Sequence, residues 1–434
     1  MSTKQYPTRW KRAAIIPLSK DPNPKTPSDT RPIANLPHLA KTFDNIIVQW
    51  ITDFLKGNNL ISDFQSGFRK HYSTQTALLE ITDIRFGFDE ALVTILLLFN
   101  FKKAFDSFDY TVLLVILREL SFLDDGVTFI YSYITGRFQR VLDLDDTIFQ
   151  FLVVTSGVPQ SSAPGPIIFL LFISSLLLVL FHSVGMLLAD DLQIYIQCKP
   201  YEVNEEILKL NQGENRVVNW SIIRGIDIHF AKTTAMLFGS VQQLRFLDLS
   251  ALYPVAIGDN IIPLVSTVRD LGLILSNSLQ WNSQVTQVLS RVHDALHKLR
   301  RRGSILPLAL RKELVTALVL PHFDYACLVY CNLPDYLNIK LQQLLNQTLT
   351  TQKPEYLCAL FPSLRDEIRR SGRLQQSCFD IPLARTATYE SSFTVQAMLL
   401  WDSLPASLCL RENSANFRLG LLEYLKSRDI CFTE

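Results

Sequence analysis

Residues 96–110 read LLLFNFKKAFDSFDY. An apolar run from Leu96 to Phe99 meets one polar residue, Asn100, and then turns amphipathic through Lys102, Lys103 and Asp106. A short, continuously apolar run that changes period at a polar residue reads as a buried strand bending into a helix. The stretch predicts a strand over 91–101 whose end presents a single polar side chain to a site.

Outward from this stretch, helix and strand patterns alternate. Residues 39–60 repeat apolar side chains at helical spacing, with Leu39, Phe43, Ile46, Ile47, Trp50, Ile51 and Leu55 on one face. Residues 73–90 and 111–135 read as further helices, the second ending near Gly136. Residues 149–155 read as a strand, and a turn then leads into an apolar helix to about Phe181. Residues 185–197 read as two short strands around ADD, a tight hairpin. A helix over 203–221 and a strand over 233–239 follow, and beyond about 282 the pattern is mostly helical. The first 45 residues carry Pro7, Pro17, Pro22, Pro24, Pro27, Pro32 and Pro37, which imply extended segments and turns. Mixed elements first and helices last predict an α+β architecture with a helical appendage.

At 434 residues the chain is too long for one small core, so two to four units are expected. The formal net charge is +1, so bulk charge points to no partner and any nucleic-acid surface must come from local clusters. The seven cysteines are scattered without a C-x-x-C pair, which argues against a disulfide framework or a zinc ribbon. The N-terminal MSTKQYPTRWKRAA lacks the apolar stretch of a signal peptide, so an intracellular location, nuclear or cytoplasmic, is expected. Residues 166–188, PIIFLLFISSLLLVLFHSVGMLL, approach the ~20 apolar residues of a membrane span. Their flanks lack a basic cluster or paired aromatic anchors. A buried helix, turn and strand is the better reading, with no stable membrane association.

Several short patterns carry chemistry. Adjacent carboxylates at Asp190 and Asp191 repel unless a cation stands between them, and hard oxygen ligands of this kind suit Mg²⁺. Asp-Asp is equally ordinary turn chemistry, and the dipeptide alone favours that reading. SGVPQSSAPGPIIF, residues 156–169, sets Gln160 in a fixed loop entering a helix, with Pro166 able to occupy its first turn. By itself it is also an ordinary connection. HDALH places His293 and His297 at i and i+4, a zinc-pair spacing without a third ligand, and a surface face is the better reading. HKLRRRG, residues 297–303, is either a grip on a phosphate backbone or a solvated charge run.

Taken in order, RPIANLPHLAKTFDNII, QSGFRKHYSTQTAL, FNFKKAFDSFDY, SGVPQSSAPGPIIF, LLADDLQIY, FAKTTAMLFG and LGLILSNSLQW resemble the reverse transcriptases of non-LTR (LINE-type, jockey-like) retrotransposons. LVLPHFDYACLVY, FDIPLART and FTVQAMLLWDSLP extend the resemblance to the C-terminal part. The resemblance implies a right-hand polymerase: fingers over 1–90, a palm with an antiparallel sheet and motifs A to E over 91–281 with fingers partly interleaved, a helical thumb over 282–350, and a helical C-terminal region over 351–434. It implies Mg²⁺-assisted attack of a primer 3′-hydroxyl on a dNTP, with an RNA template and a DNA primer as partners. Asp190 and Asp191 match two metal-binding aspartates, and the third falls on Asn100. Lys20 and Arg31 match residues that clamp the triphosphate, Phe105 the aromatic under the deoxyribose, and Gln160 the loop residue near the incoming base and template. Lys232 matches a lysine that protonates the leaving pyrophosphate.

The chain departs from that pattern at four places. Asn100 replaces a carboxylate; Asp106 is a substitute candidate but lies past the strand, on the following helix. Ser161 stands where the family has glycine, Leu188 where it has an aromatic residue, and SSLL at 174–177 where it has NDL. The resemblance also leads one to expect no endonuclease in this chain, so that target cleavage would come from elsewhere.

Overall fold

The structure is a computed structural model that describes residues 4–350 except 21, 83, 85, 143–148, 302–305 and 331–332. The region expected over 351–434 lies outside the described residues. The chain forms two compact units. The first comprises residues 1–77, 94–237 and 245–266, and the second 78–93, 238–244 and 267 onward.

The proline-rich start of the first unit folds as β1 (Arg12–Ser19) and β2 (Thr30–Asn35), paired antiparallel with Pro17 opposite Pro32 and Leu18 opposite Arg31. Pro17 lies beyond Arg12–Ile15, the part of β1 that also pairs with another strand, so its missing N–H is not needed on that side. Helix α1 (His38–Gly57) follows. Its buried face is Ala40, Asp44, Ile47, Ile51 and Leu55, whereas Leu39 and Trp50 are 73% and 57% exposed. The expected face is therefore rotated. The cause is a polar residue on the core side: Asp44 is fully buried and accepts a 2.9 Å hydrogen bond from the Tyr6 hydroxyl. Helix α2 (Thr74–Thr82) and β3 (Val93–Phe99) come next.

The helix expected over 111–135 is two helices, α3 (Tyr110–Glu119) and α4 (Asp124–Ile134). Ser121, at φ +61°, closes the first, and Asp124 and Asp125 supply the negative charge that suits the first turn of the second. Strand β4 (Arg137–Val141) runs parallel to β1 and antiparallel to β5 (Leu152–Val154), completing a sheet of order β2-β1-β4-β5.

Nine of the ten residues of helix α5 (Pro164–Ile173) are buried, all but Pro166, as a helix apolar all round must be. A 3₁₀ turn (Ser174–Val179) and β6 (Val184–Leu188) follow. Residues 166–188 are thus helix, turn and strand, and no described helix is long and apolar enough to cross a membrane. Strand β7 (Asp191–Cys198), helix α6 (Val203–Arg224) and β8 (Thr234–Phe238) complete a second sheet of order β6-β7-β3-β8. The apolar run of β3 is explained by its interior place in that sheet, where six of its seven residues are buried. Segment 251–258 is tied to α6 by side-chain amides. Asn204 bonds Ala251 O and Tyr253 N, Asn211 bonds Pro254 O and Ala256 N, and Asn215 accepts from Gly258 N. Short strands β9 (Ala256–Ile257) and β10 (Asn260–Ile261) pair within this region.

In the second unit, β11 (Thr267–Asp270) and β12 (Leu273–Ser276) form a hairpin. Helices α7 (Asn282–Arg301), α8 (Leu308–Leu318) and α9 (Asp335–Thr350) follow. Val288, Val292 and Leu296 of α7 pack with Val315, Val319 and Leu344 in one buried cluster. Cys198 and Cys327 are thiols without a disulfide.

Candidate active site

Asn100 follows the last residue of β3, where the chain leaves the sheet half-buried. Its carbonyl accepts from His229 N at 2.7 Å, and its N–H donates to Thr233 Oγ1 at 3.4 Å. The turn between those partners carries Lys232, whose own N–H donates to His229 O at 2.9 Å and whose residue is exposed. Strands β7 and β3 are neighbours, and Gln197 Nε2 donates to Thr94 Oγ1 across them at 3.2 Å. Around that contact an antiparallel direction lets strands 191–198 and 93–99 pair along most of their length, whereas a parallel one leaves three residues of overlap. Counting back along β7 and forward along β3 then brings Asp191 and Asn100 to the same end of the sheet.

The β6–β7 hairpin is as tight as ADD implied: Leu188 pairs with Asp191, and Ala189 holds φ at +59°. Residues 64–66 dock on the free edge of β6. Leu187 N donates to Phe64 O and Ser66 N to Leu187 O, both at 2.8 Å. Gln65, fully buried, accepts from Gly67 N at 2.8 Å and from Ala189 N at 3.3 Å. A Cβ on Gly67 would stand 2.3 Å from Ala189 N, so only glycine allows this approach to the hairpin tip. The QSGF stretch thus supports the tip, a role the sequence signalled only by its place in the motif series.

Burial raises the Asp190 carboxyl above the usual carboxylate range, offset in part by Arg31 on β2. Burial, and then the charge of Asp190, push Asp191 up to about 6. The pair is thus poor in neutralising charge, with hard oxygen donors, as a Mg²⁺ site requires. Those donors fit one such ion. Among the described residues no group of three His, Cys, Asp or Glu is placed to hold a metal. His293 and His297 are both exposed on α7.

The residues after β3 form a second cluster. Lys103, at φ +47°, turns the chain into the short helical turn Ala104–Ser107. The Phe105 ring stacks on Phe169 of α5 at 4.1 Å and meets the edge of Phe68 at 6.0 Å. Loop 156–160 lies on this turn. Ser156 Oγ donates to Asp106 O at 2.8 Å, Val158 N to Phe105 O at 2.9 Å, and Gln160 Nε2 to both oxygens of the Asp106 carboxylate at 2.9 and 3.0 Å. Gly157, at φ +70°, has no room for a Cβ, which would sit 2.5 Å from Asp106 Cα. Ala34 N donates to Gln160 O at 3.0 Å, joining the loop to β2. Burial raises the Asp106 carboxyl, opposed by Gln160, Lys103 and Lys20. Lys20, exposed at the end of β1, therefore acts on this cluster, as Arg31 acts on Asp190. Asp106, the substitute candidate, thus has its carboxylate hydrogen-bonded to Gln160.

A family model described as reverse transcriptase (RNA-dependent DNA polymerase) matches residues 20–274. That is more than half of the chain, and the chain belongs to this family, whose fold is the right-hand polymerase. The relatives are non-LTR retrotransposon proteins. The "Probable RNA-directed DNA polymerase from transposon X-element" of Drosophila melanogaster is 24% identical over 75% of this chain and 36% of its own length. The "RNA-directed DNA polymerase from mobile element jockey" of the same organism is 26% identical over 39% of this chain and 19% of its own length. The chain thus spans about a third or less of these relatives. Among solved structures, telomerase from Candida tropicalis in complex with a fragment of telomeric RNA matches at 11% identity and a TM-score of 0.44, covering 99% of this chain and 65% of that one.

Proposed function

We propose that the chain is the reverse transcriptase domain of a non-LTR retrotransposon, and that its polymerase activity is impaired. The observation that supports this reading is the strand order β6-β7-β3-β8, in which the end of β3 and the Asp190–Asp191 tip fall at the same end of one sheet, with an amide at position 100. On this reading 1–90 are fingers, 91–281 palm, 282–350 thumb and 351–434 a helical C-terminal region, and the protein works inside the cell. The substrates are dNTPs, with an RNA template and a DNA primer.

The primer 3′-hydroxyl would give its proton to solvent water as its oxygen bonds to the α-phosphorus, while the bond from that phosphorus to the β-phosphate oxygen breaks and pyrophosphate leaves. Lys20 and Arg31 would hold the triphosphate, Arg31 through its planar fork. Phe105 would pack beneath the deoxyribose, Gln160 would face the base and template, and Lys232 would give the departing pyrophosphate a proton. Asp190 and Asp191 would hold Mg²⁺, which when bound stabilises charge on the transferring phosphoryl group. Asn100 is a neutral and weaker ligand than the aspartate it replaces. Metal stabilisation is worth several kcal/mol, so the expected rate loss is at least roughly a hundredfold.

Primer extension on an RNA template with Mg²⁺ tests this. The expected outcome is incorporation by the native chain at about 1% or less of the Asn100→Asp rate. Comparable rates for the two chains would sink the claim of impairment. Asn100 also favours a second reading, a nucleic-acid binder that no longer polymerises. Salt-sensitive primer-template binding, without extension even by Asn100→Asp, is its signature.

A further inference from the structure

Asp106 is a half-buried carboxylate that the chemistry above leaves without a task. Its backbone is the platform for loop 156–160: Ser156 bonds its carbonyl and Gly157 presses on its Cα. Its side chain faces Gln160 Nε2, with nearly equal distances of 2.9 and 3.0 Å to the two carboxylate oxygens. An ionised carboxylate accepts only, so the amide must present its nitrogen to Asp106. That fixes an assignment otherwise ambiguous for a glutamine, and turns Oε1, an acceptor, to the other edge of the amide.

We propose that Asp106 is the positioning residue of the nucleotide site: its carboxylate sets the rotamer and hydrogen-bond polarity of Gln160, so that the loop offers an incoming nucleotide an acceptor. This rests on the nucleotide-site reading above. The same contact unites two parts of that site, because Phe105 and Asp106 are consecutive and Val158 N bonds Phe105 O. The aromatic floor and the loop glutamine are therefore held at one fixed spacing. Without the carboxylate, the Gln160 side chain regains rotamer freedom that nucleotide binding must then remove.

The test uses the full chain on an RNA template with a chain-terminated primer, so that dNTP binding is read without chemistry, in the native and Asn100→Asp backgrounds. Asp106→Asn exchanges a charge-assisted bond for a neutral one that pairs with Gln160 in either polarity, and is expected to weaken dNTP binding ~10-fold. Gln160→Met, which also removes the acceptor, should weaken binding at least as much, and the double variant should be no worse than Gln160→Met alone, because Asp106 acts through Gln160. In the Asn100→Asp background with an extendable primer, Asp106→Asn should raise KM ~10-fold and leave kcat within about threefold. The side-chain amide resonances of Gln160 should move in Asp106→Asn without nucleotide present. Unmoved resonances, additive losses, or dNTP binding indifferent to Asp106 would overturn the positioning role alone. Failure of both Asn100 and Asn100→Asp chains to bind any dNTP would overturn the nucleotide-site reading, and the positioning role with it.

Discussion

Ser161 holds φ at +77° while its residue stands exposed to solvent. The left-handed region costs a residue with a Cβ about 1–2 kcal/mol, and a glycine there removes that strain while adding about 0.5–1 kcal/mol of entropy in the unfolded chain. The exchange slightly favours glycine, and it strongly disfavours a β-branched side chain. Thermal melting should therefore rank Ser161→Gly at or just above the native chain and Ser161→Val below it by about 1–2 kcal/mol. Equal melting of the Val and Gly variants would show that the loop does not need its left-handed residue. This backbone demand was legible in the sequence, because the resemblance expects glycine at this place and glycine tolerates positive φ. The Asp106–Gln160 pair was not legible, since 54 residues separate its members and neither lies in a pattern that points to the other.

The elements show the same division between periodic and non-periodic information. Strand β3, the ADD hairpin, α6 and β8 stand close to their expected places because each is a run of consistent period between clear breaks. The periodicity of residues 39–60 predicts α1 but not its buried face, because Asp44 on the core side looks like a surface residue until Tyr6 supplies its partner. Helix α6 hides a second case. Its buried stripe is Val203, Ile207, Leu210, Glu214, Val217, Trp220 and Ser221, with a carboxyl in the middle. Glu214 is 1% exposed, and burial alone pushes its carboxyl from 4.5 up to about 8. The unfolded chain releases this proton near 4.5 and the folded chain near 8, so between them the folded state binds more protons. Its contribution to stability is thus fully present below 4.5 and is lost as pH rises toward 8. Within that window the slope from this group is about 1.4 kcal/mol per pH unit. Glu214→Gln should remove it, so the melting difference between variant and native chain should widen in the variant's favour from pH 5 to about 8. A difference constant with pH would mean that Glu214 is ionised in the fold.

At the scale of the whole molecule, 42 Lys and Arg against 41 Asp and Glu leave almost no long-range pull on a nucleic acid. The primer-template binding proposed above would then have to come from cations placed together, and the last turn of α7 places Lys298, Arg300 and Arg301 within four residues. The sequence left this cluster evenly balanced between a phosphate grip and a solvated face. The structure puts Lys298 and Arg301 on the exposed surface of a helix anchored from behind by Val288, Val292 and Leu296. Each cation on a phosphate releases a counterion, which adds about 0.9 to the slope of log affinity against log salt for a duplex. Lys298→Ala with Arg301→Ala should therefore flatten that slope by roughly 1.8 and weaken binding most at low salt. The control removes the same charge elsewhere: Lys56→Ala with Lys209→Ala, at the end of α1 and on α6, lowers the net charge equally and should leave the slope unchanged. Two parallel salt plots for the α7 variant and the native chain would return the cluster to the solvated reading. Equal flattening by both double variants would show that net charge, rather than a defined grip, sets the affinity.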